Sequence, residues 1–236
     1  MKKIIGEISR ACKKYSLIED GDKIAVGLSG GKDSLVLLYA LSEYQKHSKE
    51  KFQLIAITID QTNGQTNLQP LLDFCKKIGV ELTIVPSQIF DVVFNIRKEK
   101  NPCSLCAKMR RGALNGEAKK LGCNKVALAH HCDDLIETFF LSLIYEGRLS
   151  TFKPKTYLSN VDITAIRPLI FTSEKSIINS SKNLPIIKNI CPANHKTKRE
   201  EIKLFLQETE EKFPKFKEKT LNAIISSERY NLFDKN

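Results

Sequence analysis

The stretch VGLSGGKDSL, residues 26–35, decides the fold of this 236-residue chain. An apolar, β-branched run comes before it, and a run that opens on the helix-capping residues Asp33 and Ser34 comes after it. We therefore predict a strand, a glycine-rich turn and a helix N-terminus, which together attract a phosphate through backbone N–H groups and the helix dipole. The turn is not a Walker loop, because Asp33 follows Lys32 and because Val26 occupies the position of the required Gly. The predicted anion cradle consists of Ser29, Gly30, Gly31, Lys32, Asp33 and Ser34, in which the glycines offer backbone N–H groups, the lysine a charge and the serines hydroxyl donors.

Strand-like and helix-like runs alternate along the chain as far as residue 170. The predicted strands are residues 23–29, 52–60, 81–87, 125–131 and 162–169. The predicted helices are residues 1–18, 33–45, 67–79, 104–121, 133–147, 173–183, 197–211 and 214–228. This alternation predicts an α/β fold in which helices cover both faces of a parallel sheet and ligands bind at the carboxyl ends of the strands. The polar segment 146–160, which contains Pro154, is predicted to be a loop.

The composition favours a globular cytoplasmic protein with an anionic partner. The formal net charge of +11 suits a polyanion such as a nucleic acid, and a lysine-rich solvated surface is the alternative explanation. No apolar run reaches the roughly 18 residues that span a membrane, and the N-terminus lacks the apolar core of a signal peptide. Seven cysteines, an odd number, indicate metal binding, catalysis or packing in a reducing compartment instead of disulfides.

The loop at residues 29–34 resembles the signature of the PP-loop ATP pyrophosphatases, and further segments narrow the resemblance to one group within them. Residues 130–134, His-His-Cys-Asp-Asp, resemble the His-His-x-Asp-Asp element of the family. Cys103 and Cys106, followed by Arg110-Arg111-Gly112, are similar to the Cys-x-x-Cys and Arg-Arg-Gly of the tRNA 2-thiocytidine synthetases. The resemblance covers roughly residues 20–206. It implies a Rossmann-like fold of the adenine nucleotide alpha hydrolase type, adenylation of a substrate by ATP and release of pyrophosphate.

The resemblance also implies a division of the chain into three ranges. An N-terminal helix at 1–20 precedes an ATP-binding α/β domain at 21–185, which contains the Cys-x-x-Cys. A C-terminal segment at 186–236 carries a further cysteine and helices, and it packs on the same domain.

Three cysteines are the candidate metal ligands. Cys103 and Cys106 are predicted just before a helix, where the dipole favours their thiolates, and Cys191 is the natural third ligand. The resemblance implies a [4Fe–4S] cluster held by these three, with one iron open to hydrosulfide. A zinc site that adds His195 and a redox pair that carries sulfur are the alternatives. Cys12, Cys75 and Cys123 are interpreted as packing residues, whereas Cys132, inside the His-His-x-Asp-Asp element, is either a small variable residue or has a chemical role.

Carboxylates and histidines at the predicted strand ends complete the candidate site. The resemblance implies ATP contacts for the PP-loop, Asp60, His130 and His131, and catalytic roles for Lys32, Asp33, Asp133 and Asp134. Asp133 and Asp134 suit Mg²⁺, which prefers oxygen ligands, but they equally suit the first turn of a helix. Capping of a turn is the alternative role of Asp60.

Basic residues beside these motifs are the candidate contacts with tRNA phosphates, which position RNA without reading its sequence. They are Arg110, Arg111, Arg148, Lys153 and Lys155. A solvated surface is the alternative for each of them.

The sequence therefore predicts an ATP-dependent enzyme that thiolates a tRNA base, by resemblance a cytidine of the anticodon loop. Its sulfur donor would be a cysteine desulfurase or free sulfide, and a homodimer is possible. The alternatives are a 2-thiouridine synthetase, a lysidine synthetase-like ligase, or a sensor that binds nucleotide and cluster without turnover.

Overall fold

The computed structural model describes residues 1–62, 64–97, 102–187 and 198–226. These residues form two compact units. The first contains residues 1–131 and those from Pro154 to 187, and the second contains residues 132–153 and 198–226. Among the described helices, none combines the length and the apolar character needed to cross a membrane.

The first unit is a six-stranded sheet with helices packed around it. Its strands are β1 (Lys23–Gly27), β2 (Gln53–Asp60), β3 (Glu81–Pro86), β4 (Lys125–Ala127), β5 (Lys155–Leu158) and β6 (Ile163–Ile166). Its helices are α1 (Lys2–Tyr15), α2 (Lys32–His47), α3 (Gln69–Ile78), a π-helix (Asp91–Ile96), α4 (Pro102–Lys120) and α6 (Glu174–Ser180). The second unit contains α5 (Cys132–Glu146), α7 (Lys198–Lys212) and α8 (Phe216–Ile225).

The strand order, β3-β2-β1-β4-β6-β5, confirms the predicted Rossmann-like α/β fold. Five strands are parallel, and β5 pairs antiparallel with β6. The prediction of a loop over the whole of 146–160 is therefore wrong for Lys155–Leu158, and the sheet is mixed instead of wholly parallel. The chain turns from β1 toward β2 on one side, while β4 lies on the other. The end of β1 is thus a switch point, where α/β sheets bind ligands.

Both faces of the central strands are buried. Ala25 of β1 belongs to an apolar cluster with Ile55 and Ile57 of β2 and with Leu114 of α4. Because side chains alternate along a strand, the neighbours of Ala25 point to the other face, and they too are fully buried. This burial explains why β1 and β2 are apolar runs with no polar alternation.

The second unit has a small core of its own. Ile136 of α5 packs with Ile202 and Leu206 of α7, which are four residues apart on one helix face. The ring of Phe140 adds aromatic contacts to Phe205 and Phe216, with centroids 5.6 and 5.8 Å away. The predicted helical C-terminus is confirmed over residues 198–212 and 216–225.

Candidate active site

The loop between β1 and α2 forms a cradle of small residues closed by serine hydrogen bonds. The backbone N–H of Ser29 donates to Oγ of Ser34 at 3.1 Å, and Oγ of Ser34 donates to the carbonyl of Gly31 at 3.0 Å. The N-cap residue of α2 is Gly31, not Asp33 or Ser34 as the capping pattern predicted. Gly31 has no side chain that could accept from the first N–H groups of α2. The first turn of α2 therefore retains donors that suit an anion.

Gly30 is required by its backbone and by a close neighbour. Its φ of +79° lies in the left-handed region, which favours glycine. A Cβ on Gly30 would lie 3.2 Å from Cβ of Ile187, whose N–H donates to the carbonyl of Gly30 at 3.0 Å. Any larger residue would strain the loop and displace Ile187.

Lys32 is held between two carboxylates. Its Nζ lies 3.0 Å from Oδ1 of Asp33 and 3.2 Å from Oε1 of Glu174, at the start of α6. Burial lowers the pKa of Lys32, but the two carboxylates more than offset this effect and keep its pKa above the usual lysine value. The ammonium is therefore fully charged at neutral pH and directed by its partners.

The two histidines follow β4 instead of ending it. The strand was predicted to run to residue 131, but it ends at Ala127. His131 is buried, and its Nε2 lies 3.8 Å from Oδ1 of Asp33. His131, Asp33 and Lys32 thus form one chain of polar contacts at the PP-loop, and His130 is half-buried beside them.

Asp60 organises the loop that follows β2. Its Oδ1 accepts from N–H and Oγ1 of Thr62 at 2.9 and 2.7 Å, and its Oδ2 accepts from N–H of Gly64 at 2.6 Å. Burial raises the pKa of Asp60, but these hydrogen bonds outweigh it and hold the pKa below its usual value. The contacts favour turn capping, and a role of Asp60 in ATP binding stays a prediction.

The Cys-x-x-Cys pair lies in the first two turns of α4. The prediction placed both cysteines just before a helix that began at residue 104, but α4 begins at Pro102. Cys103 is exposed and Cys106 is half-buried, with its S–H donating to Oε1 of Gln61 at 3.2 Å. Cys191 lies outside the described residues. Within the ranges that the structure describes, no three or more His, Cys, Asp or Glu side chains are grouped to hold a metal ion.

A cleft connects the PP-loop with the end of β2 and with α4. Its lining includes Ser29 and Gly31 of the loop, Asp60 and Gln61 after β2, and Arg110 of α4. Because Gln61 also contacts Cys106, the cleft brings the predicted phosphate contacts and the cysteine pair to the same edge of the sheet. This edge is the carboxyl end of the strands, as the sequence predicted.

The predicted tRNA contacts of the first unit have different surroundings. Arg110 lines the cleft, whereas Arg111 is exposed and lies near Arg167. Burial, with a smaller effect of Arg111, lowers the pKa of Arg167 to about 10. Two neighbouring guanidinium groups favour an anionic partner. By contrast, Nζ of Lys155 donates to the carbonyl of Ser16 at 2.7 Å and pairs with Glu19 at 3.3 Å, so other groups of the protein already engage this ammonium.

The acidic first turn of α5 is ion-paired within the second unit. Nζ of Lys217 lies 3.1 Å from Oδ1 of Asp133, and Nη2 of Arg199 lies 2.9 Å from Oδ1 of Asp134. Arg199 also donates through Nε to Glu137 at 2.8 Å. Burial raises the pKa of Glu137, and Arg199 offsets this only in part.

The other two predicted tRNA contacts also lie in the second unit. Arg148 pairs with Glu146 and Lys153 is exposed. The roles predicted for these basic residues and for Asp133 and Asp134 stay predictions.

Sequence reasoning missed Glu174 and Ile187, and it gave no role to Arg199 or Lys217 in the acidic turn. The Ser173-Glu174 pair has the sequence of a helix start, and Oγ of Ser173 accepts from N–H of Ser176. That signal predicts a cap, but nothing in it points to Lys32. The contact depends on the fold, which brings α6 beside the start of α2.

The family model described as "PP-loop domain" matches residues 2–213 of this chain. The chain belongs to the PP-loop family. A "tRNA-cytidine(32) 2-sulfurtransferase" of Ralstonia pickettii is 39% identical over 88% of this chain and 67% of its own length. A protein of the same name from Pseudomonas putida is 38% identical and covers 100% of this chain and 86% of its own length. This chain is of their family, which confirms the resemblance found in the sequence.

Solved structures agree with this assignment. The chain is similar to a U34-tRNA thiolase, NcsA, from Methanococcus maripaludis, solved with its [4Fe–4S] cluster. The TM-score is 0.74 at 26% identity, over 94% of this chain and 78% of the thiolase. An NH3-dependent NAD synthetase from Campylobacter jejuni has a TM-score of 0.54 at 17% identity, over 100% of this chain and 97% of that one, and shares the fold.

Proposed function

We propose that this chain is an ATP-dependent tRNA sulfurtransferase that replaces an oxygen of a cytidine, at position 32 of tRNA, with sulfur. One observation carries the proposal. Cys106 contacts Gln61, and Gln61 lines the same cleft as the PP-loop residues Ser29 and Gly31. Nucleotide activation and sulfur delivery need neighbouring sites, and this cleft supports both. The names of the relatives support the same reaction and the same base.

The PP-loop suits activation of the base by ATP. The base oxygen attacks the α-phosphorus, the bond between the α- and β-phosphates breaks, and pyrophosphate leaves. Charge develops on the phosphate oxygens in this step, and preorganised donors stabilise it. Lys32, which Asp33 and Glu174 direct, and the first N–H groups of α2 supply those donors.

The cysteines suit the second half of the reaction, in which sulfur adds to the activated carbon and AMP leaves with the original oxygen. Cys103 and Cys106 are thiols three residues apart on one helix, and thiolates are the ligands of Fe–S clusters. Together with Cys191 they would hold a [4Fe–4S] cluster with an open iron, which supplies a binding place for hydrosulfide. The residues around the pair position the substrate: Gln61 contacts Cys106, and Arg110 lines the cleft.

Arg111 and Arg167 suit the phosphates of the bound tRNA. If Arg111 contacts a phosphate, Arg111→Ala weakens binding of all tRNAs alike and lowers the slope of log affinity against log salt by roughly one unit. Lys120→Ala is the matched control, because Lys120 lies in the last turn of the same helix and already pairs with Glu117. If the slope of log affinity against log salt is the same in Arg111→Ala and wild type, Arg111 does not contact a tRNA phosphate.

The reaction is tested with purified chain, ATP, Mg²⁺, sulfide and tRNA from a strain that lacks the modification. We expect AMP and pyrophosphate as products and 2-thiocytidine in the digested tRNA by mass spectrometry. ADP and phosphate as the only products would contradict adenylation. If the tRNA contains thiolated uridine and no thiolated cytidine, the chain is a 2-thiouridine synthetase instead.

The cluster is tested by iron analysis of protein purified without oxygen. Wild-type protein is expected to contain about four iron atoms per chain, and Cys103→Ala, Cys106→Ala and Cys191→Ala are each expected to lose them. Cys75→Ala is the control, because Cys75 is buried and burial raises its pKa to about 11. Stoichiometric zinc in colourless protein would favour the zinc site instead.

A further inference from the structure

A second pocket lies beside the cleft, with a volume of about 410 Å³. The loop after β2 forms one wall through Gln61, Thr62 and Gln65. The π-helix and the residues just before it form the other wall, through Gln88, Phe90, Asp91, Phe94 and Asn95. The volume lies within the roughly 300–1,000 Å³ that is typical of small-molecule sites. None of the predicted site residues that the structure describes lines this pocket.

The lining is amide-rich and aromatic, and Asp91 is the one charged side chain among the described residues that form it. Gln88 and Asn95 face Gln61 and Gln65 across the pocket, so four carboxamides line it. Phe90 and Phe94 add two phenyl rings in an edge-to-face pair, with centroids 5.8 Å apart. Neither Lys nor Arg is among the described residues that line it, so the described lining does not suit a phosphate.

This chemistry points to a nucleobase, and we propose that the pocket binds the target cytosine, unstacked from the anticodon loop. The inference rests on the proposed function and names the site of its base. Carboxamides both donate and accept hydrogen bonds, as the edge of a base requires. Aromatic side chains stack on splayed bases of single-stranded RNA. The two kinds of side chain together match the two surfaces that an unstacked base offers.

Asp91 suits cytosine better than uracil. A carboxylate accepts a hydrogen bond from the exocyclic amino group of cytosine, whereas uracil has a carbonyl oxygen at that position. Nδ2 of Asn95 donates to Oδ1 of Asp91 at 2.8 Å and fixes the carboxylate. An ionised carboxylate accepts several hydrogen bonds, so this contact leaves capacity for the base.

The position of the pocket agrees with the proposed reaction. The pocket shares Gln61, Thr62 and Phe90 with the cleft of the PP-loop, and Gln61 accepts the S–H of Cys106. A base in the pocket therefore lies beside both the nucleotide cleft and the cysteine pair. Adenine of ATP is the competing occupant. The cleft itself contains PP-loop residues whereas the pocket contains none, which favours adenine in the cleft.

The test combines a protein variant with a change in the RNA. Binding of the full-length chain is measured to an anticodon stem-loop with its target cytidine and to the same RNA with an abasic target. In the wild type, loss of the base is expected to weaken binding about tenfold. In Phe94→Ala the same loss is expected to have little further effect, because the stacking partner is already gone. Additive effects of the two changes would overturn the proposal.

Steady-state kinetics with full-length tRNA supply the second readout. Asp91→Asn is expected to narrow the preference for a cytidine over a uridine target by roughly tenfold, with the KM for ATP unchanged. Ile96→Ala is the control on the same π-helix, because Ile96 is 67% exposed and does not line the pocket. If the two pocket variants raise the KM for ATP instead, the pocket holds adenine and the proposal is overturned.

Failures of the pocket and of the proposed function are distinguishable. If the wild-type chain forms no thiolated cytidine, both the proposed function and the cytosine site are contradicted. A wild-type chain that thiolates cytidine, with no change in the variants, removes the cytosine site alone. If Phe94→Ala does not fold, Phe94→Leu keeps most of the volume and removes the ring, and the same outcomes apply.

Discussion

Two helices of this chain start with acidic residues shortly after a strand, but their first turns are satisfied in different ways. At the start of α2, Asp33 pairs with its neighbour Lys32, and the glycine before them has no side chain that could cap the helix. At the start of α5, Asp133 and Asp134 pair with Lys217 and Arg199, which come from other helices of the same unit.

The difference shows how a helix N-terminus serves either binding or folding. Glycines and a lysine leave the donors of α2 for an anionic ligand, which a bound nucleotide would supply. At the start of α5, acidic residues already interact with the positive end of the helix dipole. Their ion pairs with Arg199 of α7 and Lys217 of α8 connect this turn to both helices. The ion pairs favour the first-turn role of Asp133 and Asp134 over Mg²⁺ binding, which stays a prediction.

Removal of the Lys32 charge is expected to have the largest effect. Loss of one preorganised group that stabilises developing charge lowers turnover about 10²–10³-fold. The rate of pyrophosphate release by Lys32→Ala is therefore expected to be lower than that of the wild type by this factor. Its melting temperature is expected to stay close to that of the wild type, because the ion pairs of Lys32 with Asp33 and Glu174 are partly exposed and such pairs contribute little to stability. ATP should raise the melting temperature of the wild type and not of the variant.

Lys46→Ala is the matched control for this prediction. Lys46 lies on the same helix and pairs with Glu43 at 2.5 Å, but it belongs to the last turn of α2. Its turnover is expected to equal that of the wild type. Full activity in Lys32→Ala would contradict the view that the start of α2 is the anion site.

Arg199→Ala tests the other side of the comparison. The change leaves Glu137 and Asp134 without their shared cation, and hydrogen bonds to charged groups contribute about 1.5–3 kcal/mol. The Arg199 side chain is 45% exposed, so we expect a loss of about 1–2 kcal/mol in the free energy of unfolding. Lys198→Ala is the control and is expected to cost about 0.5–1 kcal/mol, because Lys198 lies 4.2 Å from the ring of Tyr145.

The pH dependence of Arg199→Ala has a definite sign. Burial raises the pKa of Glu137, so the fold favours its protonated form, and loss of Arg199 raises that pKa further. The destabilisation is therefore largest at neutral pH and shrinks as the pH falls through the pKa of Glu137 in the folded variant. Glu137→Gln in the Arg199→Ala background is expected to restore stability. A destabilisation that does not change with pH would mean that Glu137 is not the group left unpaired.

The contrast between the two turns also separates what sequence could predict from what it could not. The loop of α2 was predictable because its glycines, lysine and serines act within six consecutive residues. The partners of α5 were not, since Lys217 is 84 positions from Asp133 and only folding brings them together. For the same reason, the contact of Glu174 with Lys32 and the contact of Gln61 with Cys106 could not be predicted from the sequence.

Two elements were missed for reasons of local pattern. Strand β5, Lys155–Leu158, is a four-residue edge strand whose antiparallel pairing depends on β6. The π-helix, Asp91–Ile96, has the apolar character of either a strand or an ordinary helix. Neither the edge pairing nor the wider helical turn has a sequence signal of its own.

The end of β2 offers an intermediate case, in which a carboxylate is satisfied by its own loop. Asp60→Asn replaces one acceptor oxygen by an amide NH₂ group. If that group faces Gly64, two hydrogen-bond donors meet and the hydrogen bond from the N–H of Gly64 is lost. We expect a loss of about 1–2 kcal/mol in the free energy of unfolding at neutral pH. Because the pKa of Asp60 is lowered in the fold from 3.8, its contribution is present above that value and disappears as the pH falls through the folded pKa. The difference between wild type and variant should therefore vanish in acid.

Asp73→Asn is the control for Asp60→Asn. Asp73 accepts a hydrogen bond from Gln69 on the exposed surface of α3, and its replacement is expected to change the free energy of unfolding by less than about 0.5 kcal/mol. If Asp60→Asn is equally mild, the loop after β2 does not depend on its carboxylate.

The smallest effect is expected from Glu174→Gln, which keeps Lys32 but removes one of its two carboxylates. A partly exposed ion pair contributes about 0.2–1 kcal/mol, so turnover at neutral pH is expected to fall by at most about fivefold. The carboxylates of Asp33 and Glu174 raise the pKa of Lys32 against the effect of burial, and the variant loses part of that rise. Lys32 then loses its proton at a lower pH, and the alkaline limb of the rate profile should move to lower pH. Glu43→Gln, which removes the partner of Lys46 on the same helix, should leave that limb in place. An alkaline limb that is identical in Glu174→Gln and wild type would show that Glu174 does not act through the charge of Lys32, and the start of α2 would then depend on Asp33 alone.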